Sequence, residues 1–239
     1  MRLAAACCAA LLPLAPAAAA DLPGVDATLV LLTDVSRSID DSEFRLEKQG
    51  YAAAFSDPRV LAAIEAGPNG RIAVAYMEFA GTDQARTVVD WTVIDGAASA
   101  TAFTAAIAGA PRSYYGRTAI GSAIEQAIAL LGEAPPGGRA IIDVAGDGTS
   151  NAGVPVTAAR DQALAAGITV NGLAIINDNP VSYTFAHVQP PGGLTQWYRD
   201  NVTGGPGSFV LEVHDFRTFG EAMARKLISE IASLPRVHG

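Results

Sequence analysis

The sequence predicts a three-layer α/β domain: a doubly wound, mainly parallel sheet of six strands with one antiparallel edge strand, covered by helices on both faces. Three observations carry this. Apolar runs of strand length alternate with segments of helical period along the chain, the pattern of parallel strands joined by crossover helices. Most of those runs are nearly continuous in apolar residues, as strands buried on both faces must be. No linker or internal repeat interrupts the 239 residues, and a single domain of this size buries roughly 70% of its unfolded surface, enough for a core without disulfides.

The elements follow in order. DATLVLLTD (26–34) reads as a buried strand. SEFRLEKQGYAAAFSD (42–57) carries Phe44, Tyr51 and Phe55 at helical spacing and stops before Pro58. RIAVAYMEFA (71–80) is a second strand. ARTVVDWTVI (85–94) alternates, which predicts a half-exposed edge strand with Val89, Trp91 and Val93 on one face. Residues 97–109 and 118–132 have helical character, and RAIIDVAGD (139–147) is a short apolar strand. A helix over 155–166 ends at Gly167, and ITVNGLAII (168–176) is the next strand. SFVLEVHD (208–215) is the last. Phe216, Phe219, Met223, Leu227 and Ile231 then lay one apolar stripe along a closing helix over 216–234.

The first twenty residues, MRLAAACCAALLPLAPAAAA, obey a different rule. Arg2, an apolar run and Ala18-Ala19-Ala20 form a secretory signal pattern, which predicts a leader over 1–20 and a mature domain over 21–239, in the periplasm or secreted. As a membrane anchor the run is short, and Pro13 and Pro16 interrupt it. The only cysteines, Cys7 and Cys8, fall inside the leader, with too little apolar chain before them for a lipidation signal. The mature domain then has no disulfide and no thiolate-bound zinc. The formal charge is −8, and removal of Arg2 takes it to −9. The only lysines are Lys48 and Lys226, so nucleic acid and anionic membrane are poor partners.

In an open parallel sheet, ligands bind beyond the carboxyl ends of the strands. The first strand ends there in DVSRS, where Asp34, Ser36 and Ser38 offer only oxygen on alternate residues. Hard cations require oxygen donors. A second reading is helix capping, since Ser38 with Asp41 spells a capping box. Thr118, in YYGRTAIGSAI, stands at a loop-to-helix junction, where a lone threonine is commonly an N-cap. Asp147, in DVAGDGTSN, stands at the end of another core strand, where Asp-Gly is commonly a turn. All three segments fall on the same predicted rim and together supply two carboxylates and three hydroxyls.

This ordered set resembles the von Willebrand factor type A (vWA) domain and its metal-ion-dependent adhesion site, with Asp34, Ser36, Ser38, Thr118 and Asp147 at the matching positions. The wording of DVSRSID, GRTAIGSAI, GDGTSNAG and YRDNVTGGPGSF is most similar to a bacterial family of such domains that has no assigned function. The resemblance covers most of the mature chain. It implies a vWA/Rossmann-like fold and a bound Mg²⁺, with Mn²⁺ or Ca²⁺ as alternatives. Ser36, Ser38 and Thr118 would touch the ion, and Asp34 and Asp147 would act through water. It further implies an exported adhesion or scaffold module, not an enzyme, whose ion takes a carboxylate from a protein partner as its last ligand, and a closing helix that slides when the site changes ligand.

Neighbouring residues extend the rim. Tyr114 and Tyr115 are either partner anchors or half-buried loop residues, and Arg117 either positions the loop or meets a partner carboxylate. Asp178 reads as turn initiation before Pro180, and Asp143, inside a strand, as a member of a buried polar network. Two competing functions remain at this level. A metal-assisted hydrolase would need His187 or His214 near the ion; no nucleophile elbow, zinc-protease spacing or phosphate-binding loop is present. A structural module with a vestigial site would bind no cation.

Overall fold

The structure, a computed structural model, describes residues 24–176 and 190–232. The segment predicted as a leader, together with Asp178 and His187, lies outside the described residues.

Chain order is β1 (Ala27–Asp34), α1 (Asp41–Phe55), α2 (Pro58–Glu65), β2 (Ile72–Phe79), β3 (Ala85–Ile94), α3 (Ala97–Gly109), α4 (Ile120–Leu131), β4 (Arg139–Gly146), α5 (Val156–Ala165), β5 (Thr169–Ile175), α6 (Leu194–Asn201), β6 (Val210–Val213), a 3₁₀ turn (Phe216–Thr218) and α7 (Phe219–Ala232). The six strands form one sheet in the order β3-β2-β1-β4-β5-β6. Every neighbouring pair is parallel except β2 with β3.

The central strand explains the layering. All eight residues of β1 are buried. Leu29 and Leu31 join a core shared with Tyr51, Phe55, Phe103, Phe219 and Leu227 under α1, α3 and α7. Val30 and Leu32 join a second core with Ile120, Ile124 and Tyr198 under α4 and α6. Successive side chains of a strand point to opposite faces, so a strand buried twice is apolar on both, save where a polar side chain finds a partner. Tyr51 closes the first core by meeting the Tyr76 and Phe219 rings edge-on at 5.4 and 5.1 Å. Its hydroxyl shares a 2.7 Å hydrogen bond with Thr33.

Four local expectations change. The box that opens α1 is Asp40 with Glu43, not Ser38 with Asp41: Asp40 accepts from the backbone N–H groups of Ser42 and Glu43, and Glu43 accepts from that of Asp40. Pro58 does not merely end a helix; it occupies the first turn of α2, where its missing N–H costs nothing. On β3, Val89 packs on the first core and Trp91 on the second, so they do not share a face. Tyr76 pairs with Val89 and Val74 with Thr92; the extra residue on β3 is a bulge, and it flips the alternation. Lastly, the predicted closing helix begins as the 3₁₀ turn, with α7 starting only at Phe219.

Asp143 finds its partner on α7. The Lys226 ammonium lies 2.8 Å from Asp143 and 2.6 Å from Glu230. Glu230 also accepts from the Asn171 side chain at 2.7 Å. All four residues are buried. Burial pushes Asp143 up to about 7, opposed by Lys226. Burial alone would lower Lys226, but Asp143 and Glu230 raise it more, and it stays charged.

Candidate metal centre

The site grows out of three chain reversals at the carboxyl end of the sheet. β1 ends at Asp34, and the chain turns through Val35–Ser38 before α1. Val35 N–H donates to the Phe79 carbonyl at the end of β2, and Arg37 N–H donates to the Gly116 carbonyl. The segment before α4 is fixed in turn by Ala119 N–H on the Ala80 carbonyl, and the loop after β4 by Asn151 N–H on the Thr118 carbonyl. Each loop is therefore tied to the next by backbone hydrogen bonds.

These ties bring the five residues together. Ser36 Oγ lies 3.2 Å from Ser38 Oγ. Thr118 Oγ1 donates to Ser36 Oγ at 3.0 Å, and Ser38 Oγ donates to Asp147 Oδ1 at 2.7 Å. Asp34 Oδ1 accepts the Ser36 N–H at 2.7 Å. The capping alternatives do not hold: α4 takes Ala119 as its N-cap with no side-chain bond, and the Thr118 hydroxyl points to Ser36 instead.

The donor set fits a small hard cation on three counts. Two oxygens at right angles about an ion with bonds of about 2.1 Å lie about 3.0 Å apart, whereas Ca²⁺ bonds of about 2.4 Å would set them about 3.4 Å apart; the hydroxyl separations are 3.0 and 3.2 Å. Asp34 is fully buried, yet its Oδ2 has no hydrogen-bond partner among the described residues. Gly146 keeps the space beside it open, since a Cβ there would fall 3.1 Å from Asp34 Oδ2 and 2.8 Å from the Tyr198 hydroxyl. Burial first, then the Asp147 carboxylate, push Asp34 up to about 8, with the Ser36 hydrogen bonds and Arg112 opposing. No group of three or more His, Cys, Asp or Glu among the described residues could hold a metal, so any ion here depends on hydroxyl donors.

Four residues that the motifs did not single out complete the surroundings. Arg112, its side chain buried, donates through Nη2 to the carbonyls of Val35, Ser36 and Ile39 at 2.8, 2.7 and 2.8 Å, clamping the first loop. No feature of its sequence surroundings announces this. Glu47 is buried on α1, and neither carboxylate oxygen has a hydrogen-bond partner among the described residues. Burial, then Asp34, Glu78 and Asp147, hold it well above the usual range. Its signal was available: it stands three residues after Phe44 and four before Tyr51, inside the apolar stripe. Glu78, an acid inside the apolar β2 run, accepts the Ser113 N–H at 2.8 Å. Asn151 accepts the Thr118 N–H at 3.0 Å.

The rim residues separate. Tyr114 is half-buried and packs on the α1-side core. Tyr115 is 58% exposed, lies under the Arg112 guanidinium at 4.1 Å and donates to Asp41 at 3.1 Å. Arg117 is exposed and donates from Nε and Nη2 to Asn151 at 3.3 and 2.7 Å. His214, past β6, lies 2.6 Å from Glu212. No helix among the described residues is long and apolar enough to cross a membrane.

Solved structures share this architecture. Proximal thread matrix protein 1 from the mussel byssus, with a zinc-occupied MIDAS motif, aligns with a TM-score of 0.60 at 18% identity, over 87% of this chain and 48% of that one. The von Willebrand factor type A protein from Catenulispora acidiphila gives 0.58 at 18%, over 85% and 42%. The pilus adhesin SpaC from Lactobacillus rhamnosus GG gives 0.61 at 14%, over 90% and 31%. The chain thus spans less than half the length of each. At these identities the likeness concerns the fold, which is that of vWA-type domains. No curated protein sequence matches. A family model matches residues 24–235, and the chain belongs to that family, described as a protein of unknown function (DUF1194).

Proposed function

We propose that this protein is an exported, divalent-cation-dependent binding module, which captures an acidic residue of a protein partner. Ser36, Ser38 and Thr118 would hold the ion directly, and Asp34 and Asp147 would hold it through water. The observation that carries the reading is the convergence of three hydroxyls from two distant segments at 3.0 and 3.2 Å, beside a buried carboxylate oxygen with no protein donor among the described residues. Oxygen donors of this kind suit Mg²⁺, with Mn²⁺ or Ca²⁺ as alternatives. When bound, the ion supplies an electrophilic position for a carboxylate. This chain's part is to fix the hydroxyls, through Arg112 and the backbone ties, and to keep the direct donors neutral so that an anion is still attracted. The matrix-protein and adhesin neighbours support a protein-binding role. The apolar, alanine-rich start of the chain supports export.

Calorimetric titration with Mg²⁺ and Mn²⁺ tests the reading. Wild type should give saturable heat and Asp34→Ala none; equal heats for the two proteins refute it. A metal-assisted hydrolase gains no support from His214, which follows β6, three strands from β1 and so roughly 14 Å along the sheet.

A further inference from the structure

We propose that Tyr198 is a positioning residue of the cation site: its hydroxyl donates to one buried water in the gap beside Gly146, and that water donates to Asp34 Oδ2. This rests on the cation-dependent reading above and adds a residue from α6, an element that carries none of the five.

Tyr198 and Asp34 are both wholly buried, at 0% exposure. The Tyr198 hydroxyl and Asp34 Oδ2 both have no hydrogen-bond partner among the described residues. Each costs free energy when left unmatched, so two of them in one place call for a shared partner. Gly146 puts them in one place. The point where its Cβ would stand is 2.8 Å from the Tyr198 hydroxyl and 3.1 Å from Asp34 Oδ2. Two oxygens so placed lie no more than about 6 Å apart, and one water with hydrogen bonds of about 2.8 Å bridges oxygens about 4–5.5 Å apart.

The sequence clears a path for this ring. A Cβ at Gly172 on β5 would fall 2.8 Å from Cδ1 of Tyr198, just as one at Gly146 on β4 would fall 2.8 Å from its hydroxyl. Val144 pairs with Gly172 and Gly146 with Ala174, so the two glycines lie on neighbouring strands, two residues apart in register. Glycine inside a strand marks a close approach, here of one phenol that crosses β5 to reach the end of β4. Phenylalanine would fill the same space; only the hydroxyl, at the Asp34 end, requires tyrosine.

A second hold on Asp34 has a use. Ser36 N–H fixes Oδ1 at 2.7 Å, but a carboxylate held at one oxygen still turns easily about its last bond. A bond at Oδ2 fixes its plane. Oδ2 has two lone pairs, so one held from the Tyr198 side leaves the other for a cation-bound water. Orienting partners of this kind tune metal affinity without touching the ion.

Mg²⁺ affinity by calorimetry, and urea unfolding in chelator, are measured on wild type, Tyr198→Phe, Gly172→Ala and the double variant. Tyr198→Phe keeps the ring and should weaken Mg²⁺ binding about tenfold. Gly172→Ala keeps the hydroxyl but displaces the ring, and should weaken it several-fold. In the Tyr198→Phe background the same glycine change should still cost stability but no further Mg²⁺ affinity; losses that add in full overturn the hydroxyl as the route. Unchanged Mg²⁺ affinity in Tyr198→Phe, whatever its stability, overturns the positioning role while the cation reading stands. A wild type that takes up no Mg²⁺ overturns both. The bridge is also read without metal: a crystal structure of the metal-free protein should show one water within about 3.2 Å of both oxygens, and none there overturns the bridge. Should Gly172→Ala fail to fold, Tyr198→Phe and that water decide.

Discussion

Two clusters of buried carboxylates lie against the central strands, about 13 Å apart along β4, and they are satisfied in different ways. In the middle of the sheet, Asp143 and Glu230 share the Lys226 ammonium. At its carboxyl end, Asp34, Asp147, Glu47 and Glu78 are all buried as well. Two basic side chains are near, but Arg112 donates to backbone carbonyls and Lys48 donates to the Ala110 carbonyl. Asp34 and Glu47 are left with oxygens that have no hydrogen-bond partner among the described residues. A buried carboxylate is tolerated when a cation meets it and is costly otherwise. The first cluster has an ammonium in contact with both acids and ties α7 to the sheet, although both oxygens of Asp143 and Oε2 of Glu230 also make no hydrogen bond among the described residues. In the second, Asp34 and Glu47 have no such ion pair among the described residues, and Asp34 accepts from the N–H of Ser36, one of the three hydroxyl residues that meet there.

The comparison breaks first at the Lys226 tie. Lys226→Met would leave Asp143 and Glu230 buried without their cation, and should cost about 3–5 kcal/mol in urea denaturation, with Mg²⁺ uptake unchanged. Loss of Mg²⁺ uptake in this variant would mean that the clusters are not independent. The same tie bears on the expectation that the closing helix slides. Sliding α7 would pull Lys226 off Asp143, so a shift of this helix on ligand binding should be resisted, and Lys226→Met should ease it, as read by hydrogen exchange along α7.

At the open cluster the effect depends on the ion. Mg²⁺ at a hundred times its Kd should stabilise wild type by about 2.7 kcal/mol and Asp34→Ala not at all; a thermal shift common to both would place the ion elsewhere. Glu47 sharpens the charge argument. Its pKa is raised well above 4.5 by burial and the neighbouring acids, so the folded state holds the proton more tightly than the unfolded one. In chelator, stability should therefore fall as pH rises from that value. Glu47→Met should reduce the fall, leaving the part due to Asp34 and Asp143, and stabilise the chelated protein at alkaline pH by about 1–3 kcal/mol. A pH profile identical to wild type would mean that Glu47 is compensated after all.

The smallest effect is local. Asp40→Ala removes the side chain that caps α1 and should cost about 1 kcal/mol. Hydrogen bonds from Ser42 and Glu43 outweigh burial and hold Asp40 below 3.8, so its contribution is present above that value and lost as pH falls through the lower one. Ser38→Ala should leave this helix start intact, because Ser38 is not its cap.

The layering was legible in the residues, and so was the candidate set of oxygen donors. β1 is apolar on both faces because it is buried on both, and DVSRS, Thr118 and Asp147 fall where open sheets present their loops. The same kind of reading reached less far wherever a signal was ambiguous at short range. The bulge in β3 moved Trp91 to the other face because one inserted residue cannot be seen in an alternating string. Pro58 reads equally as a stop or as a first turn. Glu47 and Lys226 were visible as charges inside apolar stripes, yet nothing local says which partner a buried charge will meet.

What the chain alone determined is therefore the choice of atoms: oxygen donors without thiols, apolar strands, and acids at defined positions, all fixed by residue type and period. Tertiary structure decided their pairing. Lys226 reaches Asp143 only because α7 folds back across β4 and β5, and Thr118 leaves its own helix for Ser36 only because backbone hydrogen bonds hold the loops after β1, β2 and β4 side by side. Pairings of this kind join residues distant in sequence, and their energies exist only once the sheet has brought them into contact.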